Sequence, residues 1–203
     1  MIPQIEFRYS RVYDEKYRLS KSIQKYLKEK NKEYPSRKEI EDYIRKVKKL
    51  WKKEEKKIIK GISNISGLKW KEKRIICYVI GCGRAFSDPL TIGICSKNIR
   101  RFIRTLTHEL IHEIQRQNRE EYLRWYKEIL KKYSKEKRTT KNHILLSAIH
   151  WILLERFYGK KELKKEMKKY NKFPDYKKAW KIVEEAKPEN IIKKFKHIIK
   201  SKK

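Results

Sequence analysis

Apolar residues recur at a helical spacing along most of this chain and alternate as in a strand in only a few segments. Residues 5–13 (I-E-F-R-Y-S-R-V-Y) alternate large apolar with polar side chains, which predicts a first β-strand. Residues 14–31 change to a helical period, and Tyr34-Pro35-Ser36 ends that segment. The predicted buried positions of this first helix are Tyr17, Leu19, Ile23, Tyr26 and Leu27.

A long second helix is predicted to begin at Ser36 and to end near residue 60. Ser36 followed three residues later by Glu39 forms a capping box, and Gly61 is the predicted stop. Residues 74–81 (R-I-I-C-Y-V-I-G) form a continuous apolar run that is typical of a buried strand. Because Pro89 cannot donate a hydrogen bond to a sheet, residues 90–94 are predicted to form an edge strand.

The next predicted helix begins near Ile99, with Ser96 or Asn98 as its cap, and continues after a break near Asn118. Its apolar residues fall on one stripe: Ile99, Phe102, Ile103, Leu106, Leu110 and Ile114. An amphipathic helix of this kind packs its stripe against a sheet or another helix, so its polar face is turned toward a cleft or a second layer.

A further helix, nearly all apolar and therefore buried, is predicted over residues 143–158. Thr140 or Asn142 is its predicted cap and Gly159 its end, after a basic surface loop over residues 133–141. Beyond Gly159 the chain becomes strongly basic, and its amphipathic helices are separated at Lys187-Pro188-Glu189.

His108-Glu109-Leu110-Ile111-His112 reads H-E-x-x-H within the helix that begins near Ile99. Residues i and i+4 lie on one face of a helix, so His108 and His112 can each offer a ring nitrogen to one cation. Glu109 lies beside them, where it can hold the water that shares the cation. The chain has only 5 histidines, and two of them have this spacing, which favours a metal site over a chance match.

Residues 107–115 (T-H-E-L-I-H-E-I-Q) resemble the active-site helix of the zincin superfamily of metallopeptidases. The metzincin continuation G-x-x-H is absent, so the resemblance is to gluzincin-like or other small zincins, and it covers residues 77–118. It implies a zinc-dependent peptidase in which Glu109 is the general base. It also implies that the strand before the helix, residues 90–94, pairs with an extended peptide or protein substrate.

A catalytic zinc takes three protein ligands and one water, so a third ligand must come from elsewhere in the chain. The only polar stripe of the predicted helix over residues 143–158 is His143, Ser147 and His150. His143 is the first choice, because it lies at the start of the helix, where the chain can approach a cleft. His150 is the second choice. It lies about 10 Å further along the helix axis, so His143 and His150 cannot both bind one ion.

Glu155 is the third choice, as a glutamate on a downstream helix is the gluzincin pattern, and Glu120 and Glu121 are kept in reserve. The donor that stabilises the oxyanion of peptide hydrolysis stays open as well. Its candidates are Tyr122, Tyr126, Tyr158 and Arg104.

The predicted fold is α+β and mainly helical, with a small N-terminal sheet packed on the H-E-x-x-H helix in a zincin-like arrangement. Residues 1–159 are predicted to form the metallopeptidase domain. Residues 160–203 are predicted to form a basic helical extension that packs on it.

The formal net charge of +32, from 57 Lys and Arg against 25 Asp and Glu, favours attraction to polyanions such as nucleic acid. It gives an alternative interpretation, a basic nucleic-acid-binding protein in which the metal site is structural or vestigial. The chain contains no recognisable nucleic-acid-binding motif and no G-x-x-x-x-G-K, which weighs against that alternative.

Three cysteines, Cys77, Cys82 and Cys95, cannot make a disulfide framework, and each lies in apolar, strand-like sequence. We therefore expect them to be free and to act as small hydrophobic residues in a reducing compartment. Charged residues soon after Met1 predict no signal peptide, and no segment approaches the roughly 18 apolar residues of a transmembrane helix. The expected localisation is cytoplasmic.

Overall fold

The computed structural model describes residues 2–201 and is mainly helical with one small sheet, which confirms the α+β class. The helices are α1 (Arg11–Arg18), α2 (Lys21–Glu29), α3 (Arg37–Ser66), α4 (Ile99–Gln117), α5 (Arg119–Lys132), α6 (Arg138–Tyr170), α7 (Pro174–Ala186) and α8 (Pro188–Lys200). The strands are β1 (Gln4–Arg8), β2 (Arg74–Ile80), β3 (Phe86–Ser87) and β4 (Leu90–Gly93).

The chain divides into two compact units, with one boundary inside α3, one between α3 and β2, and one inside α4. One unit contains Met1–Lys57 and Lys71–Glu113, and the other contains Ile58–Trp70 and Ile114–Lys203. The division into a metallopeptidase domain over residues 1–159 and a basic extension over residues 160–203 stays a prediction.

The sheet belongs to the first unit and has the strand order β1-β2-β4-β3. β1, β2 and β4 are parallel, and β3 is antiparallel to β4. β2 confirms the predicted buried strand. The prediction that residues 90–94 form an edge strand is wrong, because β4 lies between β2 and β3. β3 is only two residues long, too short to show an alternating pattern in the sequence.

Helices cover both faces of the sheet. On one face, the Phe7 ring of β1 lies 6.3 Å from Trp51 of α3 and 6.1 Å from Phe102 of α4, measured between ring centroids. On the other face, Tyr13 of α1 contacts Tyr78 of β2 at 5.2 Å. β2 therefore has helices on both sides, and its side chains from Ile75 to Ile80 are buried or half-buried, as its continuous apolar run predicts.

The N-terminal strand is shorter than predicted, and the helix after it is two helices. Ser10 caps α1 by accepting a hydrogen bond from the Tyr13 amide at 3.4 Å, so the strand assignment of residues 11–13 is wrong. The predicted helix over residues 14–31 breaks between α1 and α2. Of its five predicted buried positions only Leu27 is buried, whereas Leu19 is 72% exposed and Tyr26 44% exposed.

Asp14 is the buried residue of α1 that the sequence pattern does not reveal. Its carboxylate accepts hydrogen bonds from the Gly81 amide at 2.8 Å and from the Tyr34 hydroxyl at 2.6 Å. These bonds attach α1 to the end of β2. A polar residue therefore fixes the position of α1, which explains why its apolar pattern misleads.

The capping box at the start of α3 is confirmed. The Ser36 amide donates to Glu39 Oε2 at 2.8 Å, and the Glu39 amide donates to Ser36 Oγ at 3.2 Å. The predicted stop at Gly61 is wrong, because α3 continues to Ser66 and ends before Gly67, whose φ is +78°.

Gly61 has a packing role inside α3. A Cβ at this position would lie 2.6 Å from Leu153 Cδ2 and 2.8 Å from a ring carbon of Phe157, both on α6. Only glycine allows α3 and α6 to approach this closely within the second unit.

Gly61→Ala is therefore expected to lower the free energy of unfolding by about 1–3 kcal/mol, although alanine is the better helix former. Leu153 is buried and cannot move aside without disturbing its neighbours. Urea denaturation measures the effect, with Lys60→Ala at an exposed position of the same helix as the control. A Gly61→Ala variant as stable as the control would contradict this explanation.

Two local signals around α4 are confirmed. The Asn98 side chain accepts a hydrogen bond from the Arg101 amide at 2.9 Å, which caps α4. Asn118 separates α4 from α5, where the break was predicted. Its side-chain amide donates to the carbonyl oxygens of Lys69 at 2.8 Å and Ile114 at 2.7 Å.

α6 begins earlier than predicted. Lys137 precedes its first turn, so the predicted caps Thr140 and Asn142 lie within the helix and the predicted loop over residues 133–141 is shorter. Gly159, with φ +80°, interrupts the helical geometry of α6 at the predicted end. Lys187 separates α7 from α8, as predicted.

The second unit is a helical assembly in which α6 packs against α7 and α8. One apolar cluster of its core joins Leu154 and Leu163 of α6 to Trp180 of α7. Phe195 of α8 is fully buried and lies 5.8 Å from the ring of Trp125 in α5. Among the helices of residues 2–201, none combines the length and apolar character needed to cross a lipid bilayer.

Cys82 and Cys95 form a disulfide, with their Cα atoms 4.9 Å apart, so the expectation that all three cysteines are free is wrong. Cys77 is free and buried, as expected. The strand pairing of β2 with β4 brings the two residues that follow these strands together, which their sequence context does not show. The argument from free cysteines for a reducing compartment is thereby lost, and the cytoplasmic localisation stays a prediction.

The Cys82→Ser/Cys95→Ser variant is expected to be less stable than the wild type by about 3 kcal/mol, as a loop of this length implies. The two cysteines are 13 residues apart. Urea denaturation with and without reductant measures the difference, and the variant should not respond to reductant. Thiol titration of the unfolded wild type that finds all three cysteines free would contradict the disulfide.

Candidate metal centre

The H-E-x-x-H residues lie in the middle of α4, in the first unit. The apolar stripe of the helix is buried from Phe102 onward, and His108 and Glu109 are only 8% and 7% exposed. His112 is half-buried, and its ring centroid lies 5.2 Å from that of His108. The two imidazoles therefore lie side by side on one face of the helix, as the i and i+4 spacing predicts.

Glu109 is a buried carboxyl, and desolvation raises its pKa to about 8. Glu109 lies near Cys77 of β2. Burial is the main cause of the raised pKa of Cys77, and the negative charge of Glu109 raises it further. A carboxyl whose pKa lies near neutral pH is suited to accept a proton and then donate it again. A cation bound beside it would lower this pKa by favouring the carboxylate.

His143 lies in the first part of α6, in the second unit, and is 7% exposed. Its Nδ1 lies 2.7 Å from the Thr139 carbonyl oxygen. A carbonyl can only accept, so we assign the proton to Nδ1 and the lone pair to Nε2. Burial lowers the pKa of His143, which keeps the imidazole neutral near pH 7.

α7 supports the His143 side chain. The Tyr176 ring lies 4.3 Å from the His143 ring, and Tyr170 stacks on Tyr176 at 5.6 Å. Thr140 Oγ1 donates to the Asp175 carbonyl at 3.1 Å, which joins the starts of α6 and α7. No sequence pattern predicts the contacts of His143 and Thr140 with α7, because they join residues more than 30 positions apart.

His108 and His112 are the two predicted ligands that the structure brings together within the first unit. The assignment of His143 as the third ligand stays a prediction.

The alternative third ligands have other surroundings. His150 is completely buried, and its ring lies 6.1 Å from that of Trp180 in α7. Glu155 is half-buried further along α6. Tyr122 and Tyr126, two of the candidate oxyanion donors, stack on each other at 5.8 Å in α5. An assignment of the oxyanion donor stays a prediction.

Comparisons of this protein with protein-family models, with curated proteins and with solved structures find no match.

In the presence of a chelator, Glu109→Gln is expected to stabilise the protein more at pH 8 than at pH 5. The folded protein holds the Glu109 proton up to a pKa of about 8, whereas the unfolded chain loses it near 4.5. Wild-type stability therefore falls as pH rises between these values, by on the order of a few kcal/mol, and the neutral glutamine avoids this loss. Thermal unfolding at both pH values, with Glu120→Gln at an exposed position as the control, measures the difference. A constant difference between Glu109→Gln and wild type would contradict the raised pKa.

Proposed function

We propose that this protein is a zinc-dependent metallopeptidase, in which His108, His112 and His143 bind the metal and Glu109 is the general base. The observation that carries the proposal is the pair of histidine rings 5.2 Å apart on one face of α4, beside the buried carboxyl of Glu109. The proposed packing of this helix against the sheet is zincin-like.

The chemistry of the donor set supports zinc. Three neutral imidazoles suit a borderline-soft cation, whereas calcium and magnesium prefer oxygen ligands. A catalytic zinc site keeps its fourth position for water, and three histidines meet that requirement. The Nδ1 hydrogen bond of His143 to the Thr139 carbonyl is the kind of contact that orients a histidine ligand and fixes its tautomer.

Zinc, when bound, supplies a Lewis acid that polarises the scissile carbonyl and lowers the pKa of water toward neutrality. In the proposed mechanism Glu109 accepts a proton from the attacking water and then donates it to the leaving amine. The burial that raises the pKa of Glu109 makes it a stronger base than an exposed glutamate, and a cation held beside it would favour its ionised form.

The substrate is proposed to be a peptide or protein. The expected pairing of an extended substrate with residues 90–94 is excluded from the proposal, because β3 already pairs with Leu90 and Thr91 of β4. The basic charge of the chain is not needed for this chemistry, and nucleic acid as a partner stays a prediction.

The test is hydrolysis of a quenched fluorescent peptide library by the purified zinc-loaded protein. We expect cleavage that stops when EDTA removes the metal and returns when zinc is restored. Cleavage that persists in EDTA, or no cleavage of any peptide by protein shown to contain zinc, would count against a metallopeptidase.

A further inference from the structure

A cavity of about 540 Å³ lies within the second unit, between α8, α6 and the end of α3. Three isoleucines, Ile65, Ile152 and Ile192, line it, and Ile65 and Ile192 are buried. These side chains form an apolar floor. The volume falls within the roughly 300–1,000 Å³ that is usual for pockets that bind small molecules.

Cationic side chains surround this floor. Arg156 of α6 and Lys193 and Lys200 of α8 line the cavity and are exposed. None of the three forms an ion pair with another residue in the described range 2–201. Glu189 is the only carboxylate in the lining, so the rim has a clear excess of positive charge. A bound anion would interact favourably with this positive charge.

The helices around the cavity are joined by hydrogen bonds. Lys196 of α8 donates to the Asn64 carbonyl at the end of α3 at 3.0 Å. The Arg124 guanidinium of α5 donates to the Ser201 and Ile199 carbonyls at the end of α8, each at 3.3 Å. The backbone of α8 is therefore positioned before a ligand binds, and only the exposed cationic side chains have to be ordered on binding.

We propose that this cavity binds an anionic amphiphile, with its phosphate or carboxylate head against Arg156, Lys193 and Lys200 and its aliphatic chain over the isoleucines. Inorganic phosphate has no apolar part that could contact the isoleucine floor. No Phe, Tyr or Trp is found in the lining, so the cavity offers no stacking platform for nucleic-acid bases. This inference is independent of the proposed peptidase activity.

Isothermal titration calorimetry of the full chain with decyl phosphate, below its micelle concentration, tests the proposal. We expect saturable binding to a single site, with affinity falling from decyl phosphate to butyl phosphate to inorganic phosphate. Lys193→Gln/Lys200→Gln should weaken the binding of decyl phosphate about tenfold. Lys46→Gln/Lys49→Gln removes the same charge from exposed positions of α3 and should leave binding unchanged.

Vesicles of phosphatidylcholine with phosphatidylglycerol distinguish two sources of the ligand. Vesicle binding that the Lys193→Gln/Lys200→Gln variant loses identifies a membrane lipid headgroup, and binding of decyl phosphate without vesicle binding identifies a free amphiphile. Equal affinity for inorganic phosphate and decyl phosphate would overturn the proposal, as would equal weakening in both double variants. A mixed-sequence oligonucleotide that competes with decyl phosphate for the site and binds there more tightly would assign the site to nucleic acid instead.

Discussion

Glu109→Gln is expected to abolish peptide hydrolysis while the protein still binds zinc. Glutamine keeps the size of the side chain but cannot accept the proton of the attacking water. We expect kcat/KM to fall by about 10²–10⁴-fold, the usual contribution of a general base. Because Glu109 is not a proposed metal ligand, the zinc content should stay at that of the wild type.

The measurement pairs a kinetic assay with elemental analysis of the same preparation. Glu120→Gln removes an exposed glutamate at the start of α5 and should change neither quantity. A Glu109→Gln variant that hydrolyses peptides at the wild-type rate would exclude Glu109 as the base. Loss of zinc together with activity would instead place the carboxylate among the ligands.

His143→Ala is expected to weaken zinc binding more than about 100-fold, because loss of a direct ligand should exceed the 10–100-fold effect of losing an orienting contact. The same change should remove most of the rise in Tm that zinc produces in the wild type, since that rise depends on the ratio of zinc concentration to Kd. Competition with a chromogenic chelator measures the affinity, and thermal unfolding with and without zinc measures the shift.

Two other histidines serve as controls for this result. His197 is exposed on α8, and His197→Ala should bind zinc as the wild type does. His150→Gln should also retain zinc, because the proposed third ligand is His143 and not His150. Wild-type zinc affinity in His143→Ala, together with loss of zinc in His150→Gln, would show that the third ligand is assigned to the wrong histidine.

The parts of the fold that were predicted correctly depend on residues close together in the sequence. The capping box of Ser36 and Glu39, the Asn98 cap and the break at Asn118 each involve hydrogen bonds within a turn or two. The errors concern residues whose role depends on distant partners. Gly61 has the sequence signal of a helix stop, but its role is to allow close packing against Leu153. Cys82 lies near Cys95 only because β2 pairs with β4.

The candidate site divides in the same way. His108 and His112 lie on one face of α4 because helical geometry alone requires it. The prediction of His143 depends on a polar stripe along a buried helix, a weaker signal that leaves His150 and Glu155 as alternatives. The contacts of His143 with Thr139 and Tyr176 need the starts of α6 and α7 to be placed together, and no sequence spacing encodes that.

Elemental analysis of the purified protein, wild type beside His112→Ala, tests the proposed metal site most directly. His112 is half-buried, so its loss should not unfold the chain, and circular dichroism checks this. We predict about one zinc per wild-type chain and none in the variant. A wild-type protein that takes up no zinc even when zinc is supplied in excess would contradict the site, and with it the proposed peptidase.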